Sequence, residues 1–301
     1  MFSFISDARC ALHENNGFET CDRFLKLDAW LRNSNHAEIK LKQELKPESQ
    51  LDLEKAIVAV HDPDFITKIK ELCASEYMVD GVDLNKNSYT SILASVESVI
   101  TAIENIHFSK SKYIFCNIRP PGHHASFSSG GGNCVINNIV CGAKYALNRY
   151  KKIVVIDWDL HLGNGTYELV EKFRNPNIKY YSIHQAKIYP KSTLKSNALS
   201  TTPYSKVYSM EKLDLKQYIE IFSEIMADVK DYSPNLILLS CGFDACVYEM
   251  FAHNFPLKPQ DYYDLTTKIK KLDIPTVSVL EGGYDTNMLE QCLSFHVKGF
   301  L

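Results

Sequence analysis

Two carboxylates and an imidazole alternate along Asp157-Trp158-Asp159-Leu160-His161, the densest group of chemistry-bearing residues in the chain. They follow directly on Ile153-Val154-Val155-Ile156, a β-branched run of the kind that forms a strand buried on both faces of a parallel sheet. Carboxylate and imidazole side by side can ligate a metal ion or exchange protons. Three other apolar runs end in the same manner. Residues 113–118 lead into Arg119-Pro120-Pro121-Gly122-His123-His124, residues 236–240 into Cys241-Gly242-Phe243-Asp244, and residues 276–280 into Glu281-Gly282-Gly283-Tyr284. Ligands of open α/β sheets gather at the carboxyl ends of the strands. If these four runs are parallel strands, one sheet edge carries adjacent histidines, an Asp/His pair, another Asp and a Tyr. That set suffices for a metal held by oxygen and nitrogen with an open position, surrounded by an acid, a base and a hydrogen-bond donor. Singly, each has a plainer reading: a strand-end Asp turns or caps the chain, paired histidines pack, and Gly282-Gly283 is a turn. Their recurrence at equivalent positions favours a site.

The elements that would hold such an edge are legible as alternation. Strands at 113–118, 153–156, 178–183, 236–240 and 276–280 are interleaved with helical patterns at 135–150, 166–173, 213–230, 259–272 and 287–299. Upstream, apolar residues at helical spacing mark 22–31, through Phe24, Leu25, Leu27 and Leu31. A long helix at 89–106 carries Ile92, Leu93, Val96, Val99, Ile100, Ile103 and Ile106 on one face. Asp62 followed by Pro63 reads as an N-cap and first helical position. Residues 40–50 read as a polar loop, 56–60 as a short strand, and 185–208 as an irregular loop of the kind that carries function. The expectation is an α/β fold, a parallel sheet with helices on both faces, in one domain spanning 1–301.

Composition sets bounds. The 301 residues are 45% hydrophobic and 23% charged, as in soluble globular proteins. A net charge of −3 gives no electrostatic ground for a nucleic-acid ligand, and no apolar run reaches membrane-spanning length. The start, Met1 to Arg9, lacks the basic-then-apolar plan of a secretion signal. The nine cysteines are an odd count with no Cys-x-x-Cys pair, and Cys116 and Cys241 lie inside apolar runs as small hydrophobes. A reducing, cytoplasmic setting is expected, with a nuclear one open.

Together the four strand-end segments resemble the signatures of the zinc-dependent histone deacetylase family, which includes acetylpolyamine amidohydrolases and acetoin-utilisation proteins. The resemblance rests on Arg119 to Ala125, on Asp157-Trp158-Asp159-Leu160-His161-x-Gly163-Asn164-Gly165-Thr166, on Ser240 to Ala245 and on Leu280 to Asp285, in the family's order. It runs from about His61 to the end of the chain, and Trp158, Asn164-Gly165-Thr166 and Glu281 look closest to the class II and bacterial branch. It implies the arginase/deacetylase-like fold and a zinc amidohydrolase that removes an acyl group from an amine. Asp159, His161 and Asp244 would hold one Zn²⁺. His124 would be general base and acid, His123 its electrostatic partner on Asp157, and Tyr284 the oxyanion donor. Asn164 would orient His124, in place of a carboxylate that would raise its pKa more. The Gly132 carbonyl would meet the substrate amide. A K⁺ ion would sit beneath the site on backbone oxygens of Asp157, Asp159 and His161, with Ser182 and Ile183 opposite.

The chain also departs from the family. Leu162 stands where a second histidine is usual. Asn133 in Gly131-Gly132-Asn133-Cys134 replaces the aromatic wall of the substrate tunnel, leaving Tyr189 for the opposite wall. Cys246-Val247-Tyr248-Glu249 replaces the usual Gly-Asp-Pro-Leu at the rim. Asp80 or Asp83 could be a rim acid that binds the substrate backbone, or a cap. The substrate is therefore open among acetyl-lysine protein, acetylpolyamine and small acetylated metabolites, with no direct nucleic-acid or membrane partner; the oligomeric state is not legible. Two competitors are a catalytically silent binding protein on this scaffold and a two-Mn²⁺ ureohydrolase. Gly163 and Cys246, at the positions where the latter needs extra carboxylates, argue against it.

Overall fold

Apolar runs too short to be helices can bury both faces only inside a sheet covered on each side. The computed structural model describes residues 2–14, 17–41, 47–108, 111–191, 194–250 and 254–301. Among the described residues, nine strands form one sheet: β1 (Phe2–Ser6), β2 (Ala37–Glu38), β3 (Tyr113–Asn117), β4 (Ile153–Asp157), β5 (Ile178–Gln185), β6 (Ala198–Thr201), β7 (Ser205–Met210), β8 (Leu236–Cys241) and β9 (Thr276–Leu280). Their order is β2-β1-β3-β9-β8-β4-β5-β7-β6, and every neighbouring pair is parallel except β6 with β7. Every residue of β3, β4, β8 and β9 is buried. Each buried Val, Ile or Leu there contributes roughly 1.5–3 kcal/mol relative to exposure. These are the strands that end in the chemistry-bearing segments, and they lie side by side as β3-β9-β8-β4.

The helices are α1 (Cys21–Asn33), α2 (Pro47–Val58), α3 (Pro63–Ala74), α4 (Ser88–Phe108), α5 (Asn138–Ala146), α6 (Asn164–Phe173), α7 (Leu215–Tyr232), α8 (Asp261–Lys270) and α9 (Thr286–Phe300). They pack in two groups, α2 to α6 and α1 with α7 to α9, each against the strands. Asp62 caps α3 as expected, accepting from the Asp64 N–H at 2.9 Å, with Pro63 in the first turn. No helix among the described residues is long and apolar enough to cross a membrane.

The structure corrects several sequence expectations. Residues 56–60 are not a strand: α2 runs through Val58, and Leu53, Ile57 and Val60 are buried while Val58 is exposed, a helical stripe rather than alternation. The polar loop expected at 40–50 ends where α2 begins at Pro47; residues 42–46 lie outside the described residues. The 185–208 loop contains the antiparallel pair β6 and β7, with 192–193 outside the described residues. The helix expected from 135 starts at Asn138, because the Asn137 side chain accepts from the Val140 N–H at 3.0 Å and sets the cap.

Behind the sheet edge lies His296, fully buried among Trp158, Phe243 and Phe300. Its ring nitrogens bond Thr266 Oγ1 at 2.7 Å and Ser278 Oγ at 2.9 Å. Burial pulls its pKa down to about 3, and burial likewise lowers His184 to about 3 and His13 and His61 to about 4. A histidine held neutral in the fold and free near pH 6.5 when unfolded leaves the unfolded state binding more protons below that pH. Its stabilisation is therefore complete above pH 6.5 and is lost as the pH falls toward the folded value. Each such histidine adds a slope of up to about 1.4 kcal/mol per pH unit. Glu249 and Glu281, which burial pushes up to about 7, oppose that slope over part of the range, so the check is made on one ring: by NMR titration the His296 imidazole is expected to stay neutral at pH 5, and protonation near 6.5 would contradict the neutral assignment.

Candidate metal centre and catalytic site

Asp159, His161 and Asp244 meet at the carboxyl ends of β4 and β8, one ligand atom from each lying within 4.8 Å of the others. His161 Nδ1 is 2.8 Å from Asp244 Oδ2 and 3.2 Å from Asp159 Oδ1. Nitrogen and oxygen ligands about 2.0–2.2 Å from a shared tetrahedral ion stand about 3.3 Å apart, so this set fits a small divalent cation. The remaining oxygens are spoken for. Asp244 Oδ1 accepts from the Leu160 N–H at 2.9 Å, and Asp159 Oδ2 from the Gly282 N–H at 2.8 Å. Those bonds orient the carboxylates before any ion arrives. Burial pulls the His161 pKa down, but the facing Asp244 and Asp159 outweigh it and push it up to about 10. Two carboxylates face one imidazole, so a protonated His161 can balance only one of them, and the donor set suits a cation.

Beside it, the rings of His123 and His124 lie 4.0 Å apart. His123 Nδ1 is 3.1 Å from Asp157 Oδ2, and His124 Nδ1 is 2.8 Å from Asn164 Oδ1. Their environments separate their protonation. Burial disfavours the charge on both, but Asp159, Asp157 and Glu281 hold His123 well above the usual imidazole range. His124, buried and repelled by His123 and His161, sits well below it. A cation and a neutral base side by side is the division of roles that acid/base chemistry uses. Because Asn164 Oδ1 can only accept, His124 Nδ1 is its N–H donor, and Nε2 carries the lone pair.

A cavity of about 400 Å³ opens over these groups, lined by Phe18, His124, Gly132, Asn133, His161, Gln185, Ile188, Tyr189, Asn254 and Tyr284. Tyr189 meets the His124 ring edge-on at 4.9 Å. Gly132 has φ +54°, and a Cβ there would overlap the His124 ring and lie 2.6 Å from Tyr189 Cε1. Only glycine lets the wall close on the histidine. Asn133 follows at φ +66°, a conformation that Asn tolerates.

Of the residues singled out from sequence, Gly132, Asn133, His124, His161, Tyr189 and Tyr284 line the cavity. Ser182 stands opposite Asp157 in the β4–β5 register, with Ile183 next on β5. Leu162 is buried in the core. Neither Asp80 nor Asp83 lines the cavity, and Asp80 instead accepts from the Gly130 N–H at 2.8 Å, fixing the loop that carries Gly132. Cys134, His123 and Glu281 also converge, but Glu281 is engaged with the Gly122 N–H at 2.8 Å, the His123 N–H at 3.1 Å and Ser240 Oγ at 3.2 Å. That cluster positions the histidine loop.

Sequence reading missed several participants. The buried Tyr180 hydroxyl donates to Asp157 Oδ2 at 2.9 Å. Arg119 and Arg23 share the buried Glu19, at 2.8 and 2.6 Å, and Arg23 reaches the Glu281 carbonyl at 2.6 Å and the Gly283 carbonyl. Phe18, Gln185 and Asn254 complete the cavity wall. In sequence Glu281 stands out only as part of a motif, and its position beside paired glycines at a strand end is the available signal.

A family model described as the histone deacetylase domain matches residues 19–300. An uncharacterized protein of Synechocystis is 29% identical over 255 residues, 83% of each chain. Type-2 histone deacetylase 2 of Dictyostelium discoideum is 32% identical over 244 residues, 71% of this chain but 14% of that much longer protein. The crystal structure of an acetylpolyamine aminohydrolase from Burkholderia pseudomallei superposes with a TM-score of 0.87, covering 100% of this chain and 98% of its own at 19% identity, a likeness of fold.

Proposed function

The chain belongs to the histone deacetylase family, and from that premise we propose that it is a Zn²⁺-dependent hydrolase of acyl amides whose preferred substrate is an acylated lysine side chain. The observation that carries the reading is the convergence of Asp159, His161 and Asp244 beside a histidine pair of opposite protonation, beneath one cavity. A bound Zn²⁺ would polarise the amide carbonyl and acidify the attacking water. His124, neutral and oriented by Asn164, takes a proton from that water at Nε2 and returns it to the departing amine. The His123 cation, held on Asp157, favours the negative charge that develops. Tyr284 donates its hydroxyl proton as a hydrogen bond to the oxyanion. Asp157, Asp159, His161, Ser182 and Ile183 are the proposed surroundings of a K⁺ ion that would stiffen the β4 end.

The preference for acyl-lysine follows from the lining. Phe18 and Tyr189 give the cavity aromatic surface where Asn133 gives none, and Asn133, Gln185 and Asn254 supply neutral amides. Among the described residues none of those lining the cavity is a carboxylate, so a second ammonium of an acylpolyamine held there would find no charged partner. In a panel of acetyl-lysine peptides, longer acyl-lysines, acetylpolyamines and small acetylated metabolites, with a chelator control, kcat/KM is expected to be at least about tenfold higher for the lysine peptides, a difference of about 1.4 kcal/mol. A polyamine preference would overturn the substrate assignment. No turnover of any member by metal-loaded protein would overturn hydrolysis and leave a binding scaffold.

A further inference from the structure

We propose that Glu249 is a positioning residue for Tyr284: its buried carboxylate, delivered by the loop that follows Asp244, fixes the backbone from which the cavity-lining phenol projects. Glu249 is only 4% exposed. Its Oε1 accepts from the Tyr284 N–H at 2.8 Å and the Asp285 N–H at 3.0 Å, and Oε2 accepts from the Asp285 N–H at 3.1 Å. Two consecutive amides thus converge on one carboxyl group; burial pushes its pKa up to about 7, and once ionised it accepts both in charge-assisted bonds.

The surrounding pattern gives this contact its purpose. The residues before Tyr284 are anchored otherwise: the Gly282 N–H to Asp159, the Gly282 carbonyl to the Phe243 N–H at 3.0 Å, and the Gly283 carbonyl to Arg23. The residues after it enter α9, where the Asp285 side chain caps Asn287 and Met288 at 2.9 and 3.0 Å. Between those anchors Glu249 takes the backbone N–H of Tyr284 itself. Glu249 is in turn set by its own turn, its N–H bonding the Cys246 carbonyl at 2.9 Å, while the Val247 N–H bonds the Leu257 carbonyl at 2.7 Å. The rim segment that departs from the family pattern therefore ties the metal-ligand loop of Asp244 to the oxyanion donor. Misplacing a catalytic group by about 1 Å can cost roughly 10²-fold in rate.

The inference rests on the hydrolytic reading above, and its test separates the two. In a cycle of Glu249→Ala, Tyr284→Phe and the double variant, with metal content measured for each, Glu249→Ala is expected to lower kcat by roughly 10- to 100-fold with KM nearly unchanged. The double variant is expected to be no slower than Tyr284→Phe alone, because the group being positioned is gone. Glu249→Gln keeps one accepting oxygen and is expected to recover part of the loss. Multiplicative losses in the double variant, or a loss carried by KM, would overturn the proposal. Amide hydrogen exchange reads the same contact without turnover: the segment bearing Tyr284 and Asp285 is expected to exchange faster in Glu249→Ala than in wild type. Unchanged exchange would overturn the positioning role even if the wild type hydrolyses every substrate. Faster exchange with a silent wild type would sustain the clamp on Tyr284 and sink the hydrolytic reading instead.

Discussion

Asp244→Asn is expected to abolish stoichiometric zinc binding and, with it, turnover. The substitution is nearly isosteric. The amide oxygen can still accept the Leu160 N–H that Asp244 Oδ1 accepts at 2.9 Å, so the loop has no steric reason to move. What is lost is one negative charge from a buried set of two carboxylates and an imidazole. Altering partners outside the ligand set typically lowers metal affinity by about 10–100-fold, and loss of a ligand's charge exceeds that. The same change should not unfold the metal-free protein. Burial and the neighbouring Asp159 push the Asp244 carboxyl toward protonation while His161, 2.8 Å away, pulls it the other way, so the amide relieves one repulsion as it gives up one ion pair. Thermal unfolding with and without zinc therefore separates ligation from folding. Wild type is expected to gain several degrees on zinc addition and Asp244→Asn to gain none, since a metal that binds only the native state stabilises by mass action. Retention of the zinc-dependent shift in the variant would remove Asp244 from the ligand set.

How far this could be read from sequence depended on whether the signal was local. Asp157, Asp159 and His161 share one strand end, and equivalent ends recur at His123-His124, Asp244 and Tyr284, so parallel pairing alone brings them to one edge. The order β3-β9-β8-β4 was not legible, because nothing along the chain encodes which strand neighbours which. β1 escaped because its serines interrupt the apolar run; they are buried only because Ser3 finds Ser111 at 2.6 Å and Ser6 finds Asn117 at 2.9 Å. Residues 56–60 misled because Ala-Ile-Val-Ala-Val satisfies strand preference, and packing of Leu53 and Ile57 decided for a helix. Phe18 has no periodic or motif context, and Glu249 stands in sequence only as the end of a rim segment that departs from the family pattern. Glu249 acquires its role from amides 35 and 36 residues away, a partnership only the fold creates.

His124→Ala is expected to lower kcat by about 10²–10⁴-fold while zinc content stays at the wild-type level. His124 is not among the three residues whose ligand atoms converge, so its removal leaves the metal cluster intact. His123→Ala should differ in kind. It removes a cation from between Asp157 and Asp159, leaving buried carboxylates unpaired, so it is expected to cost stability as well as rate. The finer test is Asn164→Asp. Asn164 now accepts from His124 Nδ1 at 2.8 Å as a neutral group. A carboxylate at that place would favour the imidazolium and raise the His124 pKa from its depressed value. The base works only when deprotonated, so the acidic limb of the kcat/KM profile is expected to move to higher pH in Asn164→Asp. Asn164→Leu, which withdraws the acceptor, should lose rate without that shift, since the ring is freed rather than recharged. An acidic limb that stays in place in Asn164→Asp would mean that a group other than His124 takes the proton, and the roles of the two histidines would have to be exchanged.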